Sequence, residues 1–221
     1  MTLTQSSDFE IVYNDKDIIV LNKSHSIHTI PDRYNKELPS LKNILQNAFK
    51  EIYVVHRLDF GTGGLIVFAK NRYSHKSLST QFSTNQIDKR YLCITDGVIK
   101  YPFTSLLPIS KRNYHGKYKI NFKSGRKSIT TFIPINYNNK YSLIEAIPKT
   151  GRSHQIRVHL KAYKAPLYQD FLYNKKIEDK RLTLFAYYLS FTHPTKNKKM
   201  EFKIKLSDFM NDKLIETGLI K

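Results

Sequence analysis

Tyr53-Val-Val-His56-Arg57-Leu58-Asp59-Phe60-Gly61-Thr62-Gly63-Gly64-Leu65-Ile66-Val67-Phe68-Ala69-Lys70 places a short polar insert between two apolar, β-branched runs. The pattern predicts buried strands on either side of a turn. Glycines at 61, 63 and 64 permit positive φ and leave room for another group to approach closely. The insert holds one carboxylate, Asp59. Arg57, two residues earlier, shares its side of the pleat if the strand runs that far. An Asp before a glycine-rich turn ordinarily hydrogen-bonds its own backbone, so Asp59 acquires a chemical meaning only from the rest of the chain.

The 221 residues suit one domain, read here as a single domain over 1–221 with two lobes around a central cleft. With 37 Lys and Arg against 18 Asp and Glu, the formal charge is +19, spread along the whole length. An excess of that size points first to a polyanion such as nucleic acid. No basic amphipathic run marks a membrane surface, and no apolar run approaches the ~18 residues of a membrane span. The start, Met1-Thr-Leu-Thr-Gln-Ser-Ser-Asp8, lacks a charged-then-apolar leader. A lone Cys93 excludes an internal disulfide and a cysteine-based zinc site, and fits a reducing, cytoplasmic setting.

Outward from the centre, Ile11–Tyr13 and Ile18–Leu21 flank a turn signal and predict a hairpin. Residues 23–38 read as a loop. Ser40 caps a helix whose Leu41, Ile44, Leu45, Ala48 and Phe49 form an apolar stripe. A polar helix is expected over 74–84, then a strand over 90–95 and a surface loop over 100–116. Alternation at Tyr118, Ile120 and Phe122, with Ile129–Ile135 following, predicts a second hairpin. A strand from Tyr141 ends at Pro148, and Ile156, His159, Leu160 and Tyr163 have helical spacing beside a basic stripe of Arg157, Lys161 and Lys164. Residues 166–180 are irregular; 182–191 fits strand or helix; Phe202, Ile204 and Leu206 alternate as strand; a short helix spans 212–218. Hairpins interspersed with helices predict an α+β fold with a mixed, largely antiparallel sheet and flanking helices and loops.

Eight histidines invite a metal site, yet no pair has His-Glu-x-x-His spacing, so no metal is expected. There is no phosphate-binding glycine loop with a following Lys, no dinucleotide fingerprint and no Gly-x-Ser-x-Gly elbow.

What remains is Asp59 with Tyr91 and Arg157. His56-Arg57-Leu58-Asp59-x-x-Thr62-x-Gly64 before an apolar strand and Lys70-Asn71 resembles the signature of the RluA-type RNA pseudouridine synthases. Lys89-x-Tyr91-Leu92 resembles that family's tyrosine motif, and Thr150-Gly-Arg-Ser-His-Gln-Ile-Arg-Val-His159 its arginine motif. Arg181-Leu182 through Phe191-x-His193-Pro194 is similar to its closing segment. The matches run in order from about Ile11 to Phe209. The opening hairpin resembles the start of the catalytic domain, which implies that no separate RNA-binding module is present. The family usually has Ser at Gly63, Pro at Ser24, Gly at Gln169 and often His at Phe185; these departures bear on substrate fit more than on the chemistry.

The resemblance implies the pseudouridine synthase catalytic fold and conversion of uridine in ribosomal or transfer RNA stem-loops to pseudouridine, without cofactor or metal. Asp59 is implied as the reacting carboxylate, acting by attack on the sugar or by assisting elimination across it. Arg157 is implied to pair with Asp59, and Tyr91 to lie against a flipped-out uracil. RNA contact is implied for His56, Arg57, Thr62, Arg152, His154, Gln155 and Lys161. Monomer is the default state. The alternative is a non-catalytic RNA-binding or ribosome-assembly factor that keeps the fold, against which the retention of Asp59, Tyr91 and Arg157 speaks.

Overall fold

A computed structural model of the chain describes residues 7–111, 116–174 and 178–220. The chain divides into two compact units: residues 1–88 with 186–205, and residues 89–185 with 206–221.

In the first unit β1 (Phe9–Asn14) and β2 (Ile18–Lys23) form the expected hairpin, turned by Asp15, whose carboxylate caps the amides of Asp17 and Ile18 at 2.8 and 3.0 Å. Helix α1 (Leu41–Ala48) begins where Ser40 Oγ accepts the Asn43 amide, and it buries Leu41 and Leu45. Strand β3 is only Tyr53–Val54, antiparallel to β4 (Gly63–Ala69), which is buried at every residue. Helix α2 (Arg72–Ser83) follows with Asn71 as its cap. Strands β9 (Leu184–Thr192) and β10 (Lys199–Lys203) complete this unit, in the order β1-β2-β4-β9-β10 with β3 also on β4. The core joins Ile18, Val20, Leu65, Val67, Leu78, Leu189 and Phe191.

The second unit carries β5 (Asp88–Asp96), β6 (Phe103–Ser105), β7 (Thr130–Tyr137) and β8 (Tyr141–Pro148) in the antiparallel order β5-β8-β7-β6. Helices α3 (Gln155–Ala162) and α4 (Asp208–Glu216) flank it. Its core gathers Cys93, Phe132, Ile144, Ile156, Leu160 and Leu182. The buried Cys93 is a small core residue, its thiol pushed far above its ordinary value by burial. The class is α+β, with mixed, largely antiparallel strands.

The structure corrects three expectations. Strand β3 stops at Val54, so residues 55–62 are a loop and Arg57 and Asp59 do not share a pleat. Residues 118–122 are not a strand: Ile109 bridges Ile120 and Arg126, while β7 pairs with β6 and β8. The half-buried Tyr118 and Ile120 pack on Ile109, Val158 and Tyr173, so a small apolar cluster produces the alternation. The loop over 100–116 contains β6, and its residues 112–115 lie outside the described ones. Arg157 lies on the core side of α3, 1% exposed, while Lys161 and Lys164 of the same basic stripe are exposed. The ambiguous 182–191 run is strand, and the final helix starts earlier, where Ser207 Oγ accepts the Met210 amide. Among the described residues no helix is long and apolar enough to cross a membrane.

Asp15, Asp17 and His193 bring potential metal-binding atoms within 4.8 Å of one another. Their hydrogen bonding identifies a structural network. Asp15 Oδ2 accepts from Tyr13, His193 Nε2 and Lys196 Nζ at 2.8, 2.9 and 2.8 Å, and Asp17 accepts from Asn71 and Thr195 at 2.9 and 2.6 Å. Burial works to raise the Asp15 carboxyl, but Lys196 and the capped amides outweigh it and hold it well below the usual carboxylate range. The cluster ties the β1–β2 turn to the cap of α2 and to the β9–β10 turn.

Candidate active site

In the first unit the Asp59 loop is held from below. Thr29 Oγ1 donates to the Leu58 carbonyl at 2.9 Å and accepts the Leu58 amide at 3.2 Å. The Gly61 amide donates to the His25 carbonyl at 3.0 Å, His25 Nδ1 bonds the Gly61 carbonyl at 2.7 Å, and the Thr62 amide closes the turn on the Asp59 carbonyl at 3.1 Å. His56 Nε2 accepts the Val67 amide at 3.1 Å, and its ring stacks on Phe82 with centroids 4.4 Å apart. Asp59 is half-buried, Arg57 exposed, and Thr62 buried with a hydroxyl that has no hydrogen-bond partner.

The expected close approach at the glycines is real. At Gly64, with φ of 111°, an added Cβ would strike the Ala186 carbonyl. At Gly63 it would lie 2.6 Å from His25 Nε2. The departure from Ser at Gly63 is thereby explained: the His25 ring occupies that space. Gly63→Ala should destabilise the protein by about 1–3 kcal/mol through overpacking. His25→Ala should relieve much of that cost, so a double-mutant cycle by denaturant unfolding should give a coupling of about 1 kcal/mol or more; strict additivity would refute the clash.

Lys23, the last residue of β2, is 1% exposed and donates to the Ser24 and Ile27 carbonyls at 2.8 Å each. Burial pushes its amine from 10.5 down to about 7, while the charge of Asp59 pulls the other way. Between these values the unfolded chain binds the proton that the folded protein lacks, so the Lys23 contribution makes stability rise with pH from about 7 to 10.5. In Lys23→Met that rise should be absent from unfolding curves taken across this window; an identical slope in the variant would contradict the assignment.

In the second unit Tyr91 is half-buried on β5 opposite Ala146 and packs on the core cluster. Lys89, two residues earlier and so on the same face of β5, is pushed down to about 8 by burial. Gln155 is consumed by the loop before α3: Oε1 accepts from Thr150 Oγ1 and the Arg152 amide at 2.8 and 2.9 Å, and Nε2 donates to the Ile129 carbonyl at 3.0 Å. Arg152 Nε donates to the Lys127 carbonyl at 3.1 Å, and Lys161 is exposed. His154 takes the left-handed conformation at the helix cap, φ 54°, with Nδ1 2.9 Å from the Tyr173 hydroxyl.

Arg157 donates from Nε and Nη2 to the two oxygens of Asp170 at 2.8 and 2.7 Å, a bidentate pair with exposures of 1% and 0%. Its guanidinium lies over the rings of Phe171 and Tyr173, 5.3 and 5.0 Å from their centroids. Asp170 Oδ1 also accepts the Leu172 and Tyr173 amides at 3.0 and 3.1 Å. Asp170, within the stretch 166–180 that reads as irregular, is the carboxylate that fixes the Arg157 guanidinium.

A half-buried carboxylate on a pinned loop in one unit, a buried guanidinium over two aromatic rings in the other, and a strongly cationic α+β chain define a class of candidate suited to a polyanionic substrate. The comparisons name it. Residues 17–162 match the family described as RNA pseudouridylate synthase. An uncharacterized RNA pseudouridine synthase of Mycoplasma genitalium is 36% identical over 95% of this chain and 70% of its own length. The dual-specificity RNA pseudouridine synthases RluA of Vibrio cholerae and Haemophilus influenzae are 34% and 30% identical, over 84% and 90% of this chain and 78% and 94% of theirs. In fold, human RNA pseudouridylate synthase domain containing 4 superposes with a TM-score of 0.77 at 21% identity, covering 96% of this chain and 94% of that one. The chain belongs to the RNA pseudouridylate synthase family and is of the RluA type. It is thus an isomerase that modifies RNA.

Proposed function

We propose that the chain isomerises specific uridines in ribosomal or transfer RNA stem-loops, with Asp59, Tyr91 and Arg157 acting on one flipped-out nucleotide. In that reaction the bond from uracil N1 to C1′ of the ribose breaks, the held base rotates, and C5 joins C1′. The C5 hydrogen leaves as a proton and N1 takes one up, so nothing is consumed. Asp59 acts at the sugar, by attack or by assisting elimination. Arg157 pairs with the Asp59 charge, and Tyr91 lies against the uracil and helps move a proton.

The observation that carries the reading is the Asp59 loop itself, pinned through Thr29 and His25, with the buried Thr62 hydroxyl unpartnered three residues from the carboxylate. A buried polar group without a partner is costly unless a ligand supplies one. RNA contact falls to Arg57, Thr62, Arg152, His154 and Lys161, with His56 and Gln155 acting through the loops they hold. Arg57 fills the space the base leaves, offsetting an extrusion cost of a few kcal/mol. Segments 25–38, 100–116 and 166–180 choose the substrate; residues 112–115 and 175–177 of these lie outside the described ones. The protein acts as one catalytic domain and as a monomer, in the cytoplasm, a setting with which its single buried cysteine agrees.

Mapping pseudouridines in a deletion strain against its parent tests the proposal: sites that vanish on deletion and return with the wild-type gene identify the target, and an unchanged map refutes it. RNA affinity should also fall steeply with salt, by at least about tenfold between 50 and 200 mM, as lysines and arginines displace counterions from several phosphates. A flat response in a filter-binding titration would contradict phosphate contact.

A further inference from the structure

From Gly97 to Ile144 the sequence has no Asp or Glu, while nine Lys and Arg residues fall in the same interval: Lys100, Lys111, Arg112, Lys117, Lys119, Lys123, Arg126, Lys127 and Lys140. At the apex of a turn in this stretch stands Phe122, 77% exposed. Single exposed apolar residues are common and by themselves mean little. This one differs in the rigidity of its mount. Asn121 Oδ1 accepts the Lys123 and Ser124 amides at 3.0 Å each, Asn121 Nδ2 donates to Ser124 Oγ at 3.1 Å, and the Gly125 amide donates to the Asn121 carbonyl at 2.9 Å. The Asn121 amide donates to the Pro108 carbonyl, and Arg126 and Ile109 exchange amide-to-carbonyl bonds, all between 2.8 and 3.0 Å. A side chain at Gly125 would strike the Asn121 carbonyl.

The turn is therefore ordered before any partner arrives, and it spends that order on holding a flat apolar face in water. Lys119, Lys123, Arg126 and Lys127, its neighbours in sequence, are exposed, and Arg152 is anchored on the Lys127 carbonyl at 3.1 Å. A flat apolar face flanked along the chain by exposed cations, with no carboxylate between Gly97 and Ile144, complements an unpaired nucleobase on its phosphate backbone. Aromatic rings recognise unpaired bases by stacking, and a paired helix offers no such face.

We propose that Phe122 is a stacking platform for an unpaired base of the RNA substrate, outside the Asp59 loop, so that the protein distinguishes looped from paired RNA. The inference rests on the RNA-modifying reading and names a second recognition point for it. The test uses the full chain with two labelled probes, an oligouridine of about 12 nucleotides and an RNA duplex of similar length. Phe122→Ala should weaken oligouridine binding about tenfold and duplex binding less than about twofold, and Phe122→Tyr should keep both. Lys123→Ala should weaken both probes together, because it removes only charge. With 2-aminopurine placed in the single strand, wild type and Phe122→Tyr should quench its fluorescence at saturation and Phe122→Ala should not.

Unchanged binding and quenching in Phe122→Ala would overturn the proposal. Equal loss on both probes would also overturn it, assigning Phe122 to folding or to a different partner. Wild-type pseudouridine formation with no Phe122 effect leaves the isomerase reading standing and removes the platform. Selective loss in Phe122→Ala from a wild type that modifies no uridine does the reverse.

Discussion

Asp59→Asn is expected to lower pseudouridine formation by about 10³-fold or more while RNA binding stays within about twofold of wild type. The substitution keeps the size and most hydrogen-bonding capacity of the side chain and removes only its charge. The loop should hold its shape, because the bonds from Thr29, His25 and Gly61 do not involve the carboxylate. It also removes the charge that opposes the burial of Lys23, so Lys23 should lose its proton at lower pH still. Liquid-chromatographic nucleoside analysis of total RNA treated with equal amounts of the two proteins gives the answer. A variant that modifies RNA at the wild-type rate would remove Asp59 from the chemistry.

Asp170→Ala should be the most damaging single change in the second unit. It leaves the Arg157 guanidinium, 1% exposed, without its bidentate carboxylate, and breaking a buried ion pair from one side costs about 3–5 kcal/mol. It also deprives the Leu172 and Tyr173 amides of their acceptor. Asp170→Asn is the more informative partner variant, since it can still accept those amides but cannot charge-pair with Arg157. We expect it to stay folded and to lose about 100-fold in kcat with little change in KM, the signature of a group that orients another in the transition state. Thermal unfolding together with single-turnover kinetics separates the two effects. An unaltered melting temperature in Asp170→Ala would show that the pair does not stabilise the unit.

The chain's local signals were legible where the physics is local. Ser40 can be read as a cap because a short polar side chain meets an amide only three residues away and an apolar stripe follows at once, whereas Asn71 and Ser207 cap helices whose starts the sequence pattern puts later, at 74 and 212. Strand β4 can be read because seven consecutive residues can be apolar only if both faces are covered. The second hairpin misled because Tyr118 and Ile120 alternate to fill a cluster with Ile109, Val158 and Tyr173, a contact that mimics strand periodicity without a ladder.

The sequence by itself determined the chemical inventory and its order: one carboxylate before a glycine turn, a tyrosine on a later strand, an arginine on a later helix, and a cationic excess without metal or nucleotide motifs. Only the tertiary structure decided that Lys23 is buried within reach of the Asp59 charge, that His25 takes the space Gly63 vacates, that Arg157 is gripped by Asp170, and that Phe122 is left in water. The reason is that periodicity reports which face of an element is covered, whereas the partner of a buried charge depends on which distant segment the backbone brings against it.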